Sequence, residues 1–309
     1  MRLKSLVLSM FCSAVKLRVL LTLLCGLLPA LVMLPALTPE VQAASVIRVQ
    51  PQRSDLDGSY RYYTDLLQKA LDATAAEYGP STIEASELRF SQARAFQALV
   101  DHQIDVFWAG TDPAREELVA PVRVPLYAGL LGYRVPVIRK ADQARFDAID
   151  TPEQLQAMLA CQGDHWPDSD ILQHNGYRVQ RVTLFEVMYS MLQSGRCDYF
   201  PRGLNEVYAE VSHVARQDLM AYDRLILAYP FPNYFFVARD NPRLLERLTL
   251  GMERLVSSGE LLAFLQQHPT TKSIFPLSRL SQSLVFPLSN PLLPPQTPLA
   301  DQRLWLQLK

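Results

Sequence analysis

Short β-rich runs alternate with segments of helical periodicity along most of this chain, and that alternation restricts the possible folds more than any other feature. Val46 to Gln50 reads as a strand. Tyr60 to Tyr78 then sets Tyr63, Leu66, Leu67, Ala70 and Leu71 at the spacing of a helix with one buried face. Ser91 caps a second predicted helix, with Ala95, Phe96, Leu99 and Val100 inward, and Ile104 to Ala109 is a β-rich run closed by Gly110. The order β, α, (β), α, β predicts an α/β fold with a parallel sheet, since parallel neighbours need a crossover long enough to hold a helix.

The middle of the chain repeats this logic. Thr151-Pro152-Glu153-Gln154 combines an N-cap, a proline at the first helical position and a glutamine at the third, a capping box. Thr183 with Glu186 predicts another, opening a helix with Leu184, Val187, Met188, Met191 and Leu192 inward and Gly195 as its stop. Val179 to Val182 and Cys197 to Phe200 are predicted strands, and Tyr229 to Ala238 returns to β character. Asn241-Pro242 starts a long amphipathic helix that Gly259 ends, and a shorter one runs to about His268. Beyond Phe275, Pro276, Pro287, Pro291, Pro294, Pro295 and Pro298 exclude regular helix or central strand. That tail still carries Leu292, Leu293, Leu304, Trp305 and Leu306, so it is expected to lie along the folded body.

Ahead of the first strand, Arg2, Lys4, Lys16 and Arg18 precede an uncharged apolar run from Val19 to Leu37. Pro39 breaks the run, and Val41-Gln42-Ala43 sets small side chains at peptidase spacing. This is the three-part pattern of a secretory signal, with cleavage expected after Ala43. An uncleaved anchor is the alternative, because the run approaches the ~20 residues that span a bilayer; Pro29 and Pro35 within it favour cleavage. The formal charge of -1 argues against a nucleic-acid partner, which needs a concentrated basic surface. Cys12 and Cys25 leave with the signal, so Cys161 and Cys197 are either one disulfide or two buried thiols.

No phosphate-cradling Gly-rich loop, nucleophile elbow or His-Glu-x-x-His helix is present. The five histidines are not paired at metal-ligand spacing, and no triad is organised, so neither a metal, a cofactor nor covalent catalysis is expected. Arginines, acids and aromatics do recur at the predicted strand ends: Pro51 to Tyr60, Trp108 to Arg115, Gln162 to Trp166 and Tyr199 to Gly203. In parallel α/β folds such loops converge on a crevice, and this mixture suits a polar small-molecule site.

Several motifs stand in a telling order. Ile104 to Gly110 is followed by Thr111-Asp112-Pro113-Ala114-Arg115, then Pro125-Leu126-Tyr127 with Gly132-Tyr133-Arg134-Val135. Gln162-Gly163 and Leu192-Gln193-Ser194-Gly195-Arg196-Cys197-Asp198 come next. With these the chain up to about His268 resembles the extracytoplasmic solute-binding proteins of family 3, which have the type II periplasmic-binding fold. The resemblance implies two α/β lobes, each with a central parallel or mixed sheet, joined by two β-type crossings and closing on a ligand by hinge motion. It implies lobe one over 44–130 and 228–274 and lobe two over 131–227, between the signal peptide read over residues 1–43 and the Pro-rich tail over 275–309 expected to pack on a lobe. It also implies that Cys161 and Cys197 start adjacent strands of lobe two and form a disulfide.

For the ligand, Arg115 matches the arginine that holds a carboxylate in amino-acid-binding members, a role that suits a bidentate guanidinium. After Gln-Gly this chain has Asp164-His165-Trp166 where the family often has Ser or Thr, and an acid at a positive helix end repels a carboxylate. The place of the family's amino-group acid is Gly203, preceded by Arg202. The resemblance therefore implies a small polar or anionic solute other than an ordinary α-amino acid. Arg202 is expected to face the cleft with Asp164 or Glu206 as partner, or else to pair with Asp164 only and lock the lobe. Trp108, Trp166 and Tyr60 are candidate stacking surfaces, and Thr111, Asp164, His165 and Tyr199 complete the expected site. The expected protein is a periplasmic monomer that captures solute for an inner-membrane permease of an ABC transporter, or for a sensor kinase. The rival is a periplasmic enzyme on the same fold, resembling cyclohexadienyl dehydratase, with Asp164, His165 or Glu206 as acid or base.

Overall fold

The computed structural model describes residues 44–52, 59–88, 91–212 and 217–308. The expected leader lies outside them. The first group of elements is β1 (Ser45–Val49), α1 (Ser59–Asp72), α2 (Ala75–Tyr78), β2 (Ser81–Ala85), α3 (Gln92–Val100), β3 (Phe107–Gly110), α4 (Pro113–Leu118) and β4 (Ala120–Val122). β1 and β2 pair in parallel from Ser45↔Ser81 to Val49↔Ala85, and Val49 bridges Val106 just ahead of β3. α1 buries the predicted stripe of Tyr63, Leu66, Leu67, Ala70 and Leu71. The single helix predicted to reach Tyr78 is interrupted at Thr74, whose hydroxyl donates to Ala70 O (3.2 Å) and Leu71 O (3.0 Å) and competes with the next helical turn. Ser91 caps α3 as predicted, accepting from Arg94 N. β3 starts later than Ile104: the Asp105 carboxylate takes the backbone N–H (2.7 Å) and guanidinium of Arg48, while Asp105 N and Val106 N share Arg48 O (2.8 and 3.3 Å).

The second group comprises β5 (Tyr133–Arg139), α5 (Gln143–Asp147), α6 (Pro152–Gln156), β6 (Leu159–Gly163), α7 (Pro167–His174), β7 (Arg178–Val182), α8 (Phe185–Gln193), β8 (Phe200–Gly203), α9 (Val207–Val211), β9 (Leu219–Ala221) and β10 (Leu225–Ala228). Gln154 Oε1 accepts from Thr151 N at 3.0 Å, closing the capping box at α6. α8 begins two residues after Thr183, with Leu184 in place of Thr183 at its N-cap and no side-chain cap there. Gly195 follows that helix at φ +74, the left-handed conformation of a helix stop. β8 starts at Phe200 and not at Cys197, because Asp198 Oδ2 takes the Leu159 N–H (2.7 Å) and only Tyr199 bridges Ala160.

The chain then returns to the first group. β11 (Asn233–Val237) lies antiparallel between β3 and β4, α10 (Pro242–Ser257) is capped by Asn241 accepting from Leu244 N, and α11 (Glu260–Gln267) follows. Residues Tyr229 to Pro232 of the predicted strand are instead connection between the sheets. β12 (Leu284–Pro287) pairs in parallel with β10 at the edge of the order β12-β10-β5-β8, with β9 also on β5. An edge is where a strand tolerates Pro287. Among the described residues no helix is long and apolar enough to cross a membrane.

Cys161 of β6 and Cys197 ahead of β8 are joined, with 5.7 Å between their Cα atoms, and both are buried. The adjoining backbone brings them together, since Cys161 N donates to Tyr199 O at 2.9 Å.

Candidate functional site

β3 and α4 on one side, and β5, the start of α7 and β8 on the other, face one another across a cavity of about 130 Å3. On the first side stand Gln50, Gln92, Trp108, Arg115 and Asn233; on the other stand Arg134, Trp166, Asp168, Arg202 and Glu206. Trp108 is 7% exposed and stacks on Tyr63 with ring centroids 4.9 Å apart. Trp166 comes close because Gly163 has no side chain: a Cβ there would overlap the indole ring.

Three guanidiniums reach this cavity, and each already has partners. Arg115 sits in α4, where its Nε pairs with Asp112 (3.0 Å) while its terminal nitrogens donate to Gly110 O (2.5 Å) and Gln92 Oε1 (3.0 Å). Burial lowers its pKa against the opposing pull of Asp112 and Asp168. Arg134 on β5 is 2% exposed; it pairs with Asp168 at 2.5 Å, stands 3.8 Å from Glu206 and donates to the Tyr229 hydroxyl at 3.0 Å. The Tyr229 hydroxyl in turn donates to Asp168. Burial alone would lower the Arg134 pKa, but Asp168, Tyr229 and Glu206 hold it above the ordinary value.

Arg202 on β8 bonds Glu210 (2.7 and 2.8 Å) and Glu206 (2.7 Å). The rings of Phe200, Trp166 and Phe185 surround it with centroids 4.9, 5.2 and 5.3 Å away. Burial raises the pKa of Glu206, with Arg202 opposing. Among the described residues that line the cavity, one enclosed side-chain atom has no partner: Asn233 is 6% exposed, its amide nitrogen donates to the Tyr63 hydroxyl at 3.2 Å, and its Oδ1 is unbonded.

Of the residues singled out in the sequence, Trp108, Trp166, Arg115 and Arg202 line the cavity, and Glu206 does so as the partner of Arg202. The alternative partner Asp164 is not used; it is half-buried, and its backbone carbonyl accepts from Arg181. Nor does Asp164 sit in the first turn of the following helix, which starts at Pro167 and carries Asp168 and Asp170 there. His165 is exposed, Thr111 is buried with its hydroxyl on Glu116 Oε1 (2.7 Å), and Tyr199 is buried in the second core. Tyr60 touches the back of the site through Trp108, ring centroids 5.9 Å apart, without lining it. Arg134, Asp168, Gln50, Gln92 and Asn233 are the residues that sequence reasoning missed. Among the described residues no group of His, Cys, Asp and Glu could hold a metal ion.

No family model matches the sequence, and no curated protein matches it either. Solved structures do share the fold. An arginine-specific periplasmic binding protein of Salmonella typhimurium is 16% identical, with a TM-score of 0.52 over 72% of this chain and 99% of its own. An ancestral arginine-binding protein bound to arginine is 18% identical, with a TM-score of 0.52 over 73% and 99%. A histidine kinase sensor domain similar to periplasmic binding proteins is 17% identical, with a TM-score of 0.50 over 72% and 95%. The chain thus has the two-lobed α/β fold of periplasmic binding proteins.

Proposed function

We propose that the protein captures one small polar solute reversibly in the cavity between its lobes, outside the cytoplasm, and passes it or its signal to a membrane permease or sensor kinase. The observation that carries this reading is the facing of charged and amide groups from both lobes across one cavity. Because Arg115, Arg134 and Arg202 are already partnered, the ligand competes for bonds by supplying N–H or O–H donors to Asp168 and Glu206 as well as any acceptor. Ordinary α-amino acid binding through a free arginine does not fit that arrangement. The neighbours named for arginine, and the sensor domain, support solute capture as the class of activity. The leader pattern supports export.

A thermal-shift screen of residues 44–309 against amino acids, organic acids, polyamines and sugars tests the reading. A ligand at 100 times its Kd stabilises by about 2.7 kcal/mol. No shift from any class sinks it. For the ligand found, Arg115→Ala is expected to weaken binding about 10-fold to 100-fold, the value of a hydrogen bond to a charged group. Isothermal titration showing unchanged affinity in the folded variant removes Arg115 from the site.

A further inference from the structure

Two-lobed binding folds move about the segments that cross between lobes, and a few residues there absorb the change in φ and ψ. Here the first crossing runs through Ala128 and Gly129 and the second through Tyr229 and Pro230. The chain crosses a third time. After α11, which packs with α10, Thr271 is still bonded to Leu265 O (2.6 Å). By Arg279 the chain has reached the second lobe: that guanidinium lies 4.3 Å from the Tyr208 ring, and Ser283 Oγ donates to Asp223 O at 2.6 Å. β12 then extends the second-lobe sheet.

The tail is tied to both other crossings. Leu288 N donates to Ala228 O at 2.8 Å, continuing the β10–β12 pairing, and Asn290 Nδ2 then donates to Pro230 O of the second crossing at 2.8 Å. The chain end comes back to the first crossing, where Leu306 N donates to Ala128 O at 2.8 Å. That carbonyl belongs to a residue at φ +46, uncommon for a non-glycine, and it precedes Gly129 at φ +82. The Trp305 ring lies on Gly129 so closely that a Cβ there would sit 2.7 Å from Cε3. The indole is itself held, its N–H donating to Pro298 O at 2.9 Å. Leu304 and Leu308 on either side are buried, and Arg303 reaches Glu253 of α10 at 3.5 Å.

We propose that residues 268–308 form a strap that joins the lobes a third time, pins both other crossings and limits how far the lobes move apart. This rests on the reading of the lobes as a closing pair, and goes beyond it by assigning the tail to the hinge. The Asn290 amide on Pro230 O and the Leu306 N–H on Ala128 O place one donor of the tail on each crossing. Hydrogen bonds from one segment to both crossings make their torsions interdependent.

Spin labels at Gln143→Cys in α5 and Thr249→Cys in α10, with the disulfide intact, report the lobe-to-lobe distance by pulsed electron resonance. The strap predicts one narrow distribution for the parent, and a longer, broader one for Leu306→Pro, which deletes the N–H on Ala128 O. A chain ending at Asn290 should broaden it further. Should that truncation fail to fold, Asn290→Ala, which removes a single half-buried amide, gives the same comparison. Distributions that match the parent in folded variants overturn the strap, as does a parent already broad. The distance needs no ligand, so the strap is tested even in a protein that binds none of the screened solutes.

Discussion

Replacing Arg134 with methionine is expected to destabilise the protein by about 3–5 kcal/mol, the cost of leaving a buried counter-charge alone. Arg134 and Asp168 are 2% and 4% exposed and lie 2.5 Å apart. Methionine fills much of the volume of the guanidinium stem between the Tyr229 and Phe231 rings, whose centroids stand 5.7 and 5.4 Å away. It supplies no donor, so Asp168 keeps only the Tyr229 hydroxyl, and Glu206 loses one of its two cationic neighbours. Arg134→Met with Asp168→Asn should recover much of the loss, because breaking a buried pair destabilises far more than replacing it as a unit. Urea midpoints of the parent, both single variants and the double variant give the coupling. A single-variant loss below about 1 kcal/mol, the range of an exposed ion pair, would mean that water reaches the pair and that this side of the cavity is open.

The same pair shows where sequence reasoning stops. Arg134 stands in the apolar run of β5, between Tyr133 and Val135, where a pattern of burial predicts core and gives no hint of a partner. Asp168 follows Pro167 in the first turn of α7, a place where an acid is expected for the helix dipole alone. Only the folded chain brings the two together. Arg115, Trp108 and Arg202 were legible because they sit at strand ends followed by helices, where α/β loops converge. Tyr60 and Tyr199 occupy similar places but point into packed rings and core, and an aromatic at a strand end carries no sign of which way it faces. The apolar stripes of α1 and α10 were read well, whereas Val100, Leu184 and Val187, expected inward, are exposed. Strand ends shifted where a side chain took a backbone donor: Asp105 does so ahead of β3, and Asp198 ahead of β8. Such substitutions of carboxylate for ladder leave no trace in hydrophobic periodicity.

Cys161→Ala with Cys197→Ala is expected to cost about 4 kcal/mol, from the loop entropy that a cross-link over this span removes from the unfolded chain. The two residues are 36 apart in sequence, and the loop they close holds α7, β7 and α8. Its consequence reaches the site. Asp168 and Trp166 lie within that loop just beyond β6, while Arg202 lies just after it on β8, so the bridge ties the two halves of the second-lobe wall. Reduction of the parent should therefore lower its unfolding midpoint as the double variant does, and weaken capture of any ligand found, with a larger loss in binding than in helix content. A thiol count on the denatured, unreduced protein comprising residues 44–309 decides the premise. No reactive thiol is expected, and two would remove the bridge together with its share of stability. If the bridge is present but its loss leaves both the midpoint and the affinity unchanged, then the backbone bond from Cys161 N to Tyr199 O and the Asp198 carboxylate on Leu159 N hold this corner without it.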